Sequence, residues 1–309
     1  MPDLARLQSA LIRDHPEPWV RHHLESFQEA YFSAFDEVEV GRHISLMRTL
    51  GDQRPVAVEG RPATDGDGEW WVDVVGYDCF QFLSTVCNLL AVRGLSIVEG
   101  RVFTSQPPPR QPELRAQRRP MAPAARPARP PRACVPDGPD RRPKIVDVFR
   151  VRREKPDTPE PDWVQFQAEL TALTRLLREG QYEEVHHRLI GRMVTALAGY
   201  RNDDDGLEAL ELDIDPEGSD FATVVRIGAQ DSFGFLYLTA SALALCGIMI
   251  VQADIRTRAG RVDDTLWVTD RFGRKITGEP KLRELRLSVI LIEHFCSRLP
   301  RATNPEAAL

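Results

Sequence analysis

No stretch of this sequence approaches the roughly 18 consecutive apolar residues that a membrane-spanning helix needs, so no membrane partner is expected. The opening residues, MPDLARLQSALIRDHPEP, spread charge throughout and hold no apolar core of secretion-signal type. Cysteine is sparse. The five cysteines (Cys79, Cys87, Cys134, Cys246 and Cys296) are scattered, odd in number and never in a CxxC pair. That pattern speaks against a disulfide framework and fits a reducing cytoplasm. Three of them sit among apolar helical positions, where a free thiol behaves as a small hydrophobe.

Motifs of chemistry are missing as well. The chain has no P-loop, GxGxxG, HExxH or GxSxG. The histidine pairs His22-His23 and His186-His187 read as helix surface, because adjacent residues point to different sides of a helix. The acids Asp203, Asp204, Asp205, Glu208, Glu211, Asp213 and Asp215 could suggest a cation site. Glu211, Asp213 and Asp215, however, alternate with Leu212 and Ile214 as the outward face of a strand, so a solvated acidic face is expected. No catalytic residue, metal site or cofactor is expected from this chain.

What is present is ordinary in bulk and unusual in pattern. Of 309 residues 42% are hydrophobic and 28% charged, which suits a globular protein with about two domains. A net charge of −6 argues against general nucleic-acid binding. The pattern is a repeat. Phe221–Arg258, FATVVRIGAQDSFGFLYLTASALALCGIMIVQADIRTR, echoes Trp70–Ser105, WWVDVVGYDCFQFLSTVCNLLAVRGLSIVEGRVFTS. Asp78 and Asp231 are 153 positions apart (231 − 78), and the same spacing relates Phe80 to Phe233, Phe82 to Phe235, Gly94 to Gly247 and Thr104 to Thr257. A constant spacing through strand, turn, helix and strand is an internal duplication.

Taken in order, Leu4, Leu7, Leu11 and Ile12 mark a first amphipathic helix, and Val20, Leu24, Phe27, Tyr31 and Phe35 one face of a second. A third helical stretch covers Gly41–Leu50. Each repeat then opens on a hairpin, Pro55–Glu59 into Trp70–Val75, and Leu210–Asp215 into Phe221–Ile227. A turn follows (Ala229–Ser232 in the second repeat), then an apolar helix that stops at Gly94 or Gly247, residues suited to the left-handed C′ position. After the next strand come Asp147–Val151 and Asp264–Asp270. Their spacing is only 117 (264 − 147), because the first repeat holds Ser105–Pro143, dense in proline and arginine and poor in core formers. That segment is expected to be a disordered tether. Closing helices carry Trp163, Phe166, Leu170, Leu173 and Leu177, and Leu282, Leu285, Val289, Ile292, Cys296 and Leu299. A connecting helix lies between the repeats at Gln181–Gly199.

The turn Asp231-Ser-Phe-Gly-Phe-Leu236, the run Gly247-Ile-Met-Ile and DTLWVTDRFGRKI (Asp264–Ile276) resemble the ACT domain. They look most like the paired ACT domains of bacterial nitrogen-control nucleotidyltransferases, the PII-protein uridylyltransferase and the glutamine synthetase adenylyltransferase. In that family the turn reads Asp-Arg-Pro-Gly-Leu; here Phe80-Gln81 and Phe233-Gly234 stand at its third and fourth places. The fold this implies is α+β: two ferredoxin-like βαββαβ (ACT-type) units behind an N-terminal helical segment. Domain limits are expected at residues 1–50 (helices), 51–180 (first unit, with the insertion 105–143), 181–205 (connector), 206–300 (second unit) and 301–309 (tail).

The resemblance implies an allosteric, regulatory module that binds a small-molecule effector, an amino acid and glutamine first, and controls a nucleotidyltransferase of nitrogen metabolism. Its partners would be catalytic nucleotidyltransferase domains or a partner subunit. Ligand contacts are expected from Asp231, Ser232, Phe233 and Gly234, and from Asp78 and Gln81 in the first copy. The helix start offers free N–H groups and a positive dipole end to a carboxylate, and an aspartate there can meet an ammonium. The plainer reading of Asp78, Asp231 and Ser232 is as helix caps.

A nucleotidyltransferase site would need Gly-Ser followed by paired aspartates; Gly218-Ser219 instead follows Asp213 and Asp215. The chain is therefore expected to be the regulatory part of a larger enzyme or a separate subunit. The alternative is a ligand-free oligomerisation module that pairs into a homo-oligomer through sheet edges.

Overall fold

The computed structural model describes residues 3–64, 68–106, 139–197 and 210–298. Most of the proline- and arginine-rich segment, the acids Asp203, Asp204, Asp205 and Glu208, and the tail lie outside these residues. Packing separates the described residues into two units, 3–48 with 105–106 and 139–143, and those of 49–104 with those of 144–298.

The first unit holds four short helices, α1 (Leu4–Leu11), α2 (Glu17–Ser26), α3 (Glu29–Ala34) and α4 (Glu37–Arg48). Asp36 and Glu39 start α4 by a reciprocal capping box, each side chain accepting from the other's backbone N–H at 2.9 Å. Sequence periodicity predicts one helix through Val20–Phe35, but the chain breaks at Phe27 and Gln28, both extended. Within α3 the adjacent Tyr31 and Phe32 are both buried. Tyr31 is the centre of this small core. Its ring stacks on Phe27 at 4.4 Å, and its hydroxyl lies 2.9 Å from His23 Nε2 and 2.7 Å from His43 Nδ1. His23, expected at the surface, is therefore a core residue. It sits three after Val20 and four before Phe27, so it shares their buried stripe.

The second unit is one eight-stranded antiparallel sheet with helices packed on it. Its first half runs β1 (Val56–Pro62), β2 (Glu69–Tyr77), α5 (Phe82–Ala91), β3 (Leu95–Thr104), β4 (Lys144–Arg153) and α6 (Trp163–Arg178). A connecting helix α7 (Tyr182–Leu197) leads to the second half: β5 (Glu211–Asp215), β6 (Thr223–Gln230), α8 (Phe235–Leu245), β7 (Ile248–Arg258), β8 (Arg261–Asp270) and α9 (Glu279–Arg298). The strand order is β1-β2-β4-β3-β7-β8-β6-β5, which reads the same in repeat terms from either edge.

Two features differ from the sequence reading. The βαββαβ order places an outer strand after the last helix of each half. Here that outer place is taken by β1 and β5, which come first and pair with β2 and β6 as hairpins. The expected turn at Ala229–Ser232 also starts later, because Ala229 and Gln230 still pair with Val262 and Arg261.

The halves join through β3 and β7. Arg101 pairs with Asp254, its own counterpart in the repeat, and Gly100–Ile255 and Val102–Ala253 flank that pair symmetrically. A local two-fold relation therefore passes through the seam, as in an isologous dimer contact. The sheet face under the helices carries Val72, Val74, Phe149, Val151, Val225, Ile227, Leu266 and Val268, which join Leu90, Phe166, Leu170, Leu243, Leu285 and Val289 in one core. A side chain such as Phe166, fully buried, contributes about 2–3 kcal/mol by transfer alone.

Both helix stops are as the sequence indicates, with Gly94 and Gly247 at φ +66°. The acids of β5 lie on its outer side, where Arg226 meets Asp213 at 2.6 Å and Arg261 meets Glu211 at 3.0 Å. Among the described residues no helix is long and apolar enough to cross a membrane, and no three His, Cys, Asp or Glu are placed to hold a metal ion.

Candidate functional site

The loops after β2 and β6 have the same backbone. Phe82 N donates to Cys79 O at 3.2 Å, Phe235 N donates to Ser232 O at 3.0 Å, and the residue before each helix is left-handed. In the second copy that residue is Gly234 at φ +72°; in the first it is Gln81 at φ +64°. Gln81 thus carries a strain of about 1–3 kcal/mol that glycine avoids. Gly234 is also a close-approach position, since a Cβ there would come 2.7 Å from Met193 Cε on α7. The capping reading of the sequence does not hold. The N-cap residues are Gln81 and Gly234, neither with a side-chain cap bond, and the carboxylates of Asp78 and Asp231 bond no helix N–H.

Each loop borders a cavity completed by the other half. Asp231, Ser232, Phe233 and Gly234 line one of about 350 Å³, whose far wall comes from Cys87, Ala91, Leu95, Ile97, Arg152 and Lys155. Asp78 and Gln81 line its counterpart of about 40 Å³, closed by Ala240, Ala244, Ile248 and Ile250. The six expected ligand residues therefore fall into two equivalent cavities, four in the larger and two in the smaller. The first volume is in the range of small-molecule sites; the second has room for about one water molecule. Phe80 does not line the smaller cavity, and its ring packs edge-on against Tyr182 at 5.2 Å.

Each cavity also holds an acid that sequence reasoning passed over. Asp264 lines the larger and Asp147 the smaller, and the two are repeat equivalents. Asp264 lies between Val262 and Leu266 on the inward face of β8; Asp147 lies between Ile145 and Phe149 on β4. A carboxylate at an inward register in both copies was the available signal. Asp264 is 1% exposed, and its Oδ1 accepts from Arg256 N at 3.2 Å. Asp147 is 0% exposed, and neither of its oxygens has a hydrogen-bond partner.

Burial drives the electrostatics. Desolvation, then the nearby Asp231, raises Asp264 to about 7 against the help of the Arg256 N–H. Desolvation also raises Asp231 to about 6, opposed by the Arg152 guanidinium. Asp147 is pushed well above the carboxylate range by burial and then by Asp78. Asp78 is exposed as a residue, yet enough protein surrounds its carboxyl that desolvation raises its pKa too. The buried Cys87 thiol is raised well above its usual value by burial, with Asp147 and Asp264 adding to it, so it lies within electrostatic reach of both acids. Each cavity thus holds a carboxyl pair that is costly to ionise unless a cation arrives. The arrangement can bind a cation and exchange protons.

With this geometry, similarity to known proteins becomes informative. No family model matches the chain. Its homologues are bifunctional uridylyltransferase/uridylyl-removing enzymes, at low identity over most of its length. The enzyme of Azospirillum brasilense is 26% identical over 270 residues, 85% of this chain and 24% of the relative. That of Gluconobacter oxydans is 26% identical over 281 residues, 89% of this chain and 25% of the relative. A stretch of 71 residues is 41% identical to the enzyme of Ruegeria pomeroyi, 23% of this chain and 8% of that one. The chain spans about a quarter of the length of the relatives it matches along most of its own.

Proposed function

We propose that the sheet unit is a pair of ACT domains and that it senses a small molecule, an amino acid with glutamine first, to regulate a nucleotidyltransferase of nitrogen metabolism. The observation that carries this reading is the 350 Å³ cavity at the Asp231–Gly234 loop, built from both halves of the repeat. A ligand there contacts α5 and β3 of one half and the loop of the other, so its binding energy bears on how the halves meet. The order β1-β2-β4-β3 supports the ACT assignment, because it is a ferredoxin-like sheet whose last strand is supplied by the preceding hairpin. Likeness to uridylyltransferase/uridylyl-removing enzymes supports the regulated activity, which catalytic domains or a partner subunit in the cytoplasm would supply. An oligomerisation module without ligand would leave the cavity and its buried acids without a role. Its sheet edge β5 is also short and carries Glu211 and Asp213, features that oppose edge pairing. Titration calorimetry of the chain with glutamine and the other amino acids tests the reading. Saturable heat with at least one of them, lost in Gly234→Leu, is expected, and silence across the set would remove the sensing claim.

A further inference from the structure

The larger cavity is not uniformly acidic. Arg152, at the end of β4, and Lys155, in the turn after it, line it together with Asp231, Asp264 and a third acid, Glu154, which lies between the two cations in the chain and feels the charge of Asp231. Asp264 reaches it from the sheet floor. Its Oδ1 is held by the Arg256 N–H, while its Oδ2 has no hydrogen-bond partner. Arg152 forms no ion pair within 4 Å among the described residues, although its charge is felt at Asp231. The smaller cavity repeats the acids, as Asp78 and Asp147, but no Lys or Arg lines it and it holds only about 40 Å³.

We infer that Asp264, together with Asp231, is the ammonium subsite of the larger cavity, and that the ligand is a free α-amino acid whose carboxylate faces Arg152 and Lys155. This rests on the sensing reading above and sharpens it. A primary ammonium supplies the donors and the positive charge that a buried carboxyl pair lacks. Arg152 and Lys155, in the same lining, suit the other end of a zwitterion. The smaller cavity keeps the acids but lacks both the cations and the room, so it seats no amino acid, and the chain binds one equivalent rather than two.

Calorimetry on the full chain decides this with two probes, L-glutamine and its amine-blocked analogue N-acetyl-L-glutamine, any other amino acid found to bind being treated in the same way. The expected result is one equivalent of L-glutamine, binding of the N-acetyl form at least tenfold weaker, and a loss of at least tenfold in Asp264→Asn. Arg152→Gln, at an exposed position, is expected to weaken binding severalfold, and Asp147→Asn to leave it unchanged. Should Asp264→Asn fail to fold, the N-acetyl probe and Arg152→Gln still decide. Equal binding of the free and blocked amines, or a stoichiometry of two, overturns the inference while leaving the sensing reading in place. Wild-type chain that binds no amino acid at all overturns the reading itself.

Discussion

The two cavities are copies of one design that have moved apart. Both place a left-handed residue before a helix, an aspartate three residues earlier and a second aspartate on the sheet floor. They differ in what surrounds the acids. The second copy has glycine at the left-handed position, Arg152 and Lys155 with Glu154 in its lining, and about 350 Å³; the first has Gln81, no cation and about 40 Å³. The residues that face each loop come from the other half, so the seam between β3 and β7 decides what each site can hold. Duplication copied the acids, and the asymmetry arose in their surroundings.

The strongest way to break this comparison is to abolish the glycine of the second site. Gly234→Leu would put a side chain at φ +72° and against Met193, at a combined cost of about 3–5 kcal/mol, roughly a strained left-handed residue plus an overpacked contact. Urea denaturation should show this loss, and a change below about 1 kcal/mol would show that the loop relaxes freely.

Next in size is the buried acid. The folded value of Asp264, about 7, lies above its unfolded value of about 3.9. Its contribution to stability is therefore fully present below about pH 4 and is lost as pH rises through about 7, an upper bound of about 4 kcal/mol at 1.36 kcal/mol per unit. Asp264→Asn should remove that slope and make the chain more stable than wild type at pH 8, as read by thermal melts across pH 4–8. Parallel curves for the two proteins would show that the carboxyl is not desolvated as described. For the proposed ammonium subsite, the same linkage predicts that calorimetric affinity tightens as pH rises through 6–7. The charges of Asp231, Asp263 and Asp254 act to keep Asp264 protonated, the Arg256 N–H favours its ionised form, and Arg152 favours ionisation of Asp231.

Smaller effects sharpen the comparison. Gln81→Gly should stabilise the first loop by about 1 kcal/mol, since it removes left-handed strain without removing a cap bond. It should not create a second binding site, because the smaller cavity gains neither cations nor appreciable room. Ala259, at φ +49° in the two-residue turn between β7 and β8, should accept glycine with a gain of about 0.5–1 kcal/mol in the same assay. A loss at either position would mean that the native side chain makes a contact worth more than the strain.

Much of this architecture was legible in the chain. The 153-residue spacing located both halves, alternation marked the strands, and Gly94 and Gly247 marked the helix stops because only backbone chirality is at issue there. The candidate loops were legible for the same local reason. Asp147 and Asp264 were passed over because an acid beginning a strand segment looks like a solvent-facing terminus. Only the register of β4 and β8 turns them inward. The break at Phe27 was hidden because an apolar stripe continues across it, and the burial of His23 depends on the aromatic cluster around Tyr31.

By itself the sequence determined the duplication, the kind of most elements within each half, and the residues of the two loops, since propensity, periodicity and turn chemistry act over a few neighbours. Tertiary structure alone decided that β1 and β5 occupy the outer edges, that β3 and β7 join the halves, and that one copy of the site is open and the other nearly filled. Those outcomes depend on which distant side chains share a desolvated volume, a property of the packed sheet that no short stretch of chain carries.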